Sequence, residues 1–179
     1  MEKGHSTTQL ILFLALFACS LYSSAKAATN PLDVQAVLIK NFTHLIEWPA
    51  ERHLNSNTSF TICIYGSQPL AQQFKNIFTG KTVKGKKARI VIISSFSLDD
   101  CDLVYIPPSS DEAITSLLKS ASKLGVLTVS SNNGYGEKGV HINFFESSKH
   151  IAFELNKHTL DRAGFKVSTQ LYRYARIVQ

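Results

Sequence analysis

Three glycines, Gly134, Gly136 and Gly139, spell G-x-G-x-x-G directly after the strand-like run 126–130. In a dinucleotide-binding protein that spacing serves a phosphate, because a helix opens right after the glycines and its N-terminus holds the pyrophosphate. Here the next residues are Val140-His-Ile-Asn-Phe-Phe145. They are β-branched or aromatic with period two, which predicts a strand. Without a helix N-terminus the phosphate chemistry fails. The stretch reads instead as a strand-to-strand loop in which at least one glycine takes a positive φ.

Other reactive residue types are present but scattered. Asp99, Asp100 and Asp102 invite a metal or acid–base reading. Adjacent side chains of an extended segment point apart, so the run reads as a polar loop before a strand. No G-x-S-x-G elbow and no H-E-x-x-H pair occurs. The expectation is no catalytic residues, no metal and no cofactor.

One pair of reactive residues can be brought together by a hairpin. Val140–Phe145 and His150–Leu155 flank Glu146-Ser-Ser-Lys149, a four-residue hairpin loop. Pairing 145 with 150 sets His141 opposite Glu154. One face then collects Val140, Ile142, Phe144, Ile151, Phe153 and Leu155, which is core. The other collects His141, Asn143, Phe145, His150, Ala152 and Glu154. A carboxylate across from His141 favours its charged form. His150 lies at the far end of the hairpin, so a zinc site lacks its third ligand. The run Ser168–Arg176 predicts a helix with Arg173 and Arg176 on one face. Together with Trp48, the single tryptophan, these residues outline a candidate ligand or partner cleft: Trp48, His141, Glu154, Arg173 and Arg176. The favoured reading of Trp48 on its own is a lid on the core edge, and the arginines could equally make ion pairs with Glu154.

These residues sit in a chain of 179 residues, long enough for one domain with a substantial core. Residues 1–27 read as a leader. Lys3 supplies the positive start, residues 10–18 an apolar stretch too short to span a bilayer, and Ala25-Lys26-Ala27 a cleavage signal. A rival reading makes Leu16-Phe-Ala-Cys19 a lipobox with Cys19 lipidated, and an uncleaved anchor is a third. The leading expectation is a soluble, periplasmic protein of residues 28–179. Its 17 basic and 12 acidic residues leave a formal charge of +5. Export keeps this charge from nucleic acid, so it serves solubility or an acidic partner. Cys63 and Cys101 remain after cleavage. An oxidising compartment favours a disulfide, and two buried free thiols are the alternative.

The elements that must position these residues alternate. Pro31–Trp48 predicts an amphipathic helix with Asn30 as N-cap and Val34, Val37, Leu38, Phe42, Leu45 and Ile46 inward. Phe60–Tyr65 reads as a strand, 69–79 as a helix ended by Gly80, and Arg89–Ile93 as a second buried strand. The basic run Lys81–Arg89 between them reads as a solvated turn, with a docking patch for an acidic partner as its alternative. Leu103–Ile106 is a third strand, a helix capped by Ser109 or Ser110 runs to Lys123, and Val126–Ser130 is the fourth. Asn156 caps a last short helix over 157–163. The pattern predicts a three-layer α/β sandwich, a mostly parallel sheet with a C-terminal antiparallel hairpin, for which 2-1-3-4 is one strand order to consider. That order makes Cys63 and Cys101 near neighbours, though a parallel register could leave them too far apart for a bridge.

Several stretches, in this order, resemble the YfiR-like family of exported signalling regulators. They are Asn41-Phe-Thr-His-Leu-Ile-Glu-Trp-Pro49, Gly80-Lys-Thr-Val-Lys-Gly85, Cys101-Asp-Leu-Val-Tyr-Ile106, Gly125-Val-Leu-Thr-Val129 and Gly134-Tyr-Gly-Glu-Lys-Gly-Val-His-Ile-Asn-Phe144. Phe153-Glu-Leu-Asn156, Ala163-Gly164 and the tail 168–178 complete the match. The resemblance implies a non-catalytic periplasmic repressor. It would bind the sensing part of an inner-membrane diguanylate cyclase, lower cyclic di-GMP and restrain biofilm formation. An outer-membrane partner that sequesters it, and a homodimer, are further associations it suggests. A small-ligand sensor in another signalling system is the alternative. Some members carry a second cysteine pair near the hairpin. This chain lacks it, so any redox control would rest on Cys63 and Cys101.

Overall fold

The computed structural model of the chain describes residues 30–52, 58–148 and 150–179. The leader and Cys19 lie outside them. Helix α1 (Pro31–His44) starts where Asn30 Oδ1 accepts the Leu32 N–H at 3.0 Å, with proline in the first turn. It buries Leu32, Gln35, Ala36, Ile39, Phe42 and Thr43. The expected stripe is therefore rotated, and Val37 is exposed. The helix also stops short of Trp48, because Ile46–Glu47 forms strand β1, antiparallel to β9 (Lys166–Val167).

The main sheet is assembled from β2 (Ser59–Tyr65), β3 (Thr82–Val83), β4 (Lys86–Ile93), β5 (Leu103–Ile106), β6 (Leu127–Ser130), β7 (Ile142–Ser147), β8 (His150–Asn156) and β10 (Arg176–Val178), in the order β10-β8-β7-β6-β5-β2-β4-β3. The segment β4-β2-β5-β6 is a parallel core of order 2-1-3-4, and β7 joins β6 in parallel before turning back antiparallel as β8. Helices α1 and α2 (Gln68–Phe78) cover one face through Phe42, Phe74 and Phe78. Helix α3 (Asp111–Leu124) covers the other through Ile114, Leu117 and Ala121, together with Leu98, Val104 and Tyr135. Ser110 caps α3 and Gly125 ends it in the left-handed conformation, φ 63°.

The sequence expectations differ from the structure at three elements. Strand β4 is half-exposed along its length rather than buried, because it lies one place from the sheet edge and β3 covers only its first two residues. The basic run before it forms the β3–β4 hairpin, turned by Lys84 (φ 50°) and Gly85 (φ 77°). Lys84 is half-buried rather than fully solvated. Its amine donates to the Thr43 and Ile46 carbonyls at 2.9 and 3.1 Å and lies 5.0 Å over the Trp48 ring, and burial lowers its pKa. The tail forms a helix, α5 (Thr169–Tyr172), for only four residues after the Ser168 cap. Arg176-Ile-Val178 then pairs in parallel with β8, where an open sheet edge satisfies its backbone. The short helix α4 (Lys157–Arg162) lies between β8 and β9, capped by Asn156.

Cys63 and Cys101 form a disulfide with a Cα–Cα distance of 5.7 Å. The register sets Cys63 beside Val104, so a fully extended chain would carry Cys101 roughly 10 Å along the strand. The chain turns instead: the Cys101 N–H bonds to the Leu98 carbonyl and the Asp102 N–H to that of Thr61. That turn brings Cys101 back over β2.

Candidate functional site

The hairpin register differs from expectation by two residues. Asn143, not His141, faces Glu154, and Ser147 faces His150. The strands are thus joined by a two-residue connection rather than four, with Ser148 at φ 47°. A shift of two keeps every side chain on its face. Phe144 and Phe153 still pack on Phe42, at 6.1 and 4.5 Å between ring centroids.

The opposite face carries a polar cluster around Glu154, which is buried. Its Oε2 accepts the Asn143 Nδ2–H at 3.1 Å, and its Oε1 accepts from Arg176 Nη2. The register itself aligns Arg176 with Glu154. The guanidinium stands 4.1 Å over the Phe145 ring, a cation–π contact that holds the exposed side of the pair. Asn143 also donates to the Asn132 carbonyl at 3.0 Å, and its buried Oδ1 has no protein partner.

The glycine loop closes over this cluster. Gly134 (φ 77°) and Gly139 (φ 105°) turn the chain, and a strand follows, with no helix N-terminus to hold a phosphate. Gly136 matters for a different reason, since its missing Cβ leaves the space that the Glu154 carboxylate occupies. The loop is tied down at its middle by two adjacent residues. Asn156 Nδ2 donates to the Gly136 carbonyl at 2.9 Å, and the Tyr135 hydroxyl bonds the Ser109 backbone at 2.9 and 3.1 Å.

The five proposed cleft residues do not come together. Glu154 and Arg176 meet. His141 is buried two residues before Asn143, the residue that faces Glu154, and makes no hydrogen bond to Glu154. Its Nδ1 accepts the Thr128 N–H at 3.1 Å and its ring packs on Phe165 at 5.1 Å. The charged form expected from a carboxylate neighbour is replaced by the neutral one. Burial is the largest cause lowering its pKa to about 3, and the Arg162 charge acts in the same direction against a backbone hydrogen bond at Thr159. Trp48 lies at the core edge, its Nε1–H bonded to the Asp102 carbonyl at 3.0 Å and its ring edge-on to Phe60 and Phe165. Arg173 is exposed at the end of α5 and makes no ion pair among the described residues.

Sequence reasoning also passed over a buried carboxylate. Asp102 lies in the expected loop, one residue before β5, but it is buried: it accepts the Thr61 N–H at 2.8 Å and its Oδ1 lies 3.7 Å from Arg52 Nε. Burial raises its pKa, and the Thr61 hydrogen bond and Arg52 oppose that. The Arg52 guanidinium donates to the Asp99 and Cys101 carbonyls, clamping the turn that carries the disulfide. A second feature is a cleft of about 490 Å³ between α3 and α4, floored by His141. The Lys119–Lys123 spacing on α3 was its one sequence signal. Among the described residues no group of three His, Cys, Asp or Glu could hold a metal. No helix there is long and apolar enough to cross a membrane.

A strapped glycine loop, a closing hairpin and a latched C-terminal strand on a parallel α/β core define a mixed α/β protein. The family model described as YfiR/HmsC-like matches residues 32–176, and the chain belongs to that family. No curated protein matches it. Two solved structures share the fold. One is a conserved domain protein from Vibrio cholerae O1 biovar El Tor (TM-score 0.60, 11% identity, covering 83% of this chain and 60% of that one). The other is described as an ABC domain in complex with L-Trp from Streptococcus pneumoniae (TM-score 0.57, 12% identity, covering 84% and 61%). The chain thus spans about three fifths of the length of each.

Proposed function

We propose that this protein is an exported, non-catalytic regulator that binds the periplasmic sensing part of an inner-membrane diguanylate cyclase and represses it. The observation that carries this reading is membership of the YfiR/HmsC-like family across nearly the whole described chain. The architecture is in keeping with it. Glu154 is engaged by Asn143 and Arg176, contacts that latch β10 to β8 beneath the glycine loop. The disulfide suits an oxidising compartment. Residues 1–27 act as a cleaved leader and the remainder as a single periplasmic domain, with an outer-membrane protein as a further partner.

The test is genetic and then biochemical. Deleting the gene should raise cellular cyclic di-GMP and surface attachment, and a plasmid copy should restore both. The purified protein should also retain the periplasmic domain of the repressed cyclase in a pull-down. Unchanged cyclic di-GMP after deletion would remove the proposal.

A further inference from the structure

We propose that the cleft between α3 and α4 binds a small anion carrying two or more negative charges, such as an organic phosphate or a polycarboxylate. The proposal is independent of the cyclase reading. The cleft is lined by four cations drawn from three segments: Lys119 and Lys123 from α3, Lys138 from the glycine loop and Arg162 from α4. No carboxylate lines it. Lys138 meets Asp111 outside the cleft, whereas Lys119, Lys123 and Arg162 make no ion pair among the described residues. Cations gathered around a concave site repel one another and set a positive potential over it. Lys119 and Lys123 stand at i, i+4, where like charges destabilise a helix. The helix dipole accounts for Lys123 in the last turn of α3. Arg162 likewise stands in the last turn of α4, and Asp111 partners Lys138; what these local reasons do not account for is the convergence of all four cations on one concave site with no carboxylate in its lining.

The remaining lining fits an oxyanion rather than an apolar ligand. Ser122 offers a hydroxyl donor, whereas the Thr159 hydroxyl already donates to the Asn156 carbonyl at 3.3 Å. Gly139 keeps the cleft open, since a Cβ there would lie 3.3 Å from Thr159 Cγ2 and 3.6 Å from Leu118 Cδ1, between its two walls. The floor residue, His141, is buried and its Nδ1 is already engaged by Thr128, so the charge that meets the ligand comes from the rim. A volume of about 490 Å³ admits a small metabolite.

Isothermal titration at physiological ionic strength, with inorganic pyrophosphate and separately with citrate, tests the site and distinguishes the two anion chemistries. At least one should bind saturably. Lys119→Gln combined with Lys123→Gln, and Arg162→Gln alone, should each weaken it by about fivefold or more. Lys81→Gln with Lys87→Gln, on the β3–β4 hairpin, should leave it unchanged. All these positions are exposed, so circular dichroism should show an intact fold in each variant. Failure of both anions to bind, or equal weakening by the hairpin control, overturns the proposal. So does binding of a hexaglutamate peptide in their place, which would make the cleft a docking groove for an acidic chain.

Discussion

The Glu154 carboxylate fills the space in which a side chain on Gly136 would begin. A Cβ at Gly136 would collide with Oε2, approach Cδ to 3.1 Å and meet Val178 Cγ2 at 3.2 Å. Because Glu154 is held by Asn143 and Arg176, it cannot simply swing away. Gly136→Ala should therefore cost about 1–3 kcal/mol in urea unfolding. The cost should shrink in a Glu154→Ala background. A cost unchanged in that background would show that the strain comes from elsewhere.

Arg176→Ala leaves Glu154 buried with Asn143 as its remaining side-chain partner. Arg176 is itself 58% exposed, which weakens the pair, so the expected loss is about 1–2 kcal/mol. Arg176→Lys should recover only part of it, because an ammonium cannot reproduce the planar stacking on Phe145. Full recovery by lysine would mean that charge alone matters. Chemical denaturation of the two variants side by side decides between these.

His141 makes the fold acid-sensitive. Its folded pKa, about 3, lies below its ordinary 6.5, so burying it neutral is fully favourable above pH 6.5. That stability is lost as the pH falls from 6.5 towards 3, at up to about 1.4 kcal/mol per pH unit. Asp102 acts oppositely. Its carboxyl is raised by burial, so stability is regained as the pH falls through its folded pKa. His141→Asn keeps an acceptor for the Thr128 N–H and removes the titration. Its stability should fall less steeply between pH 6 and pH 4 than the parent's, and parallel curves would dismiss His141 as the cause.

Reducing the Cys63–Cys101 bridge, which spans 38 positions, should lower stability by about 3–4 kcal/mol on the chain-entropy model. Urea midpoints with and without reductant measure this. Mass spectrometry without reductant should show the linked peptides.

Much of the core was readable because alternation of strands and helices leaves few topologies. Phe60–Tyr65, Leu103–Ile106 and Val126–Ser130 announced themselves as apolar runs, and right-handed crossovers fixed their neighbours. Three local features were harder to see. The hairpin connection after Ser147 lacks the Asn-Gly signal that marks a two-residue loop, so a longer loop was expected. Arg173 and Arg176 have helical spacing, but the pairing available on β8 outweighs it and sends the two arginines to different elements. Asp102 looked like one acid among three; only the tertiary arrangement, with the Thr61 amide and Arg52 converging on it, sets it apart. The candidate site was legible to the extent that one strand and its neighbour supplied it. Glu154 and its face were found, whereas Asn143 was placed on that face without its role.

The even hairpin shift has a consequence for folding specificity. Sliding β8 along β7 by two residues leaves Ile142, Phe144, Phe153 and Leu155 on the core side, so burial of apolar surface barely distinguishes the two alignments. The polar side does distinguish them. In the native alignment Glu154 accepts from Asn143 and His141 accepts the Thr128 N–H, whereas the slipped one would face Glu154 with His141 and give up the Asn143 bond. The Asn143–Glu154–Arg176 cluster therefore acts as a key that breaks a degeneracy the hydrophobic residues cannot resolve. Its main contribution is to select one sheet out of two, more than to deepen the stability of either.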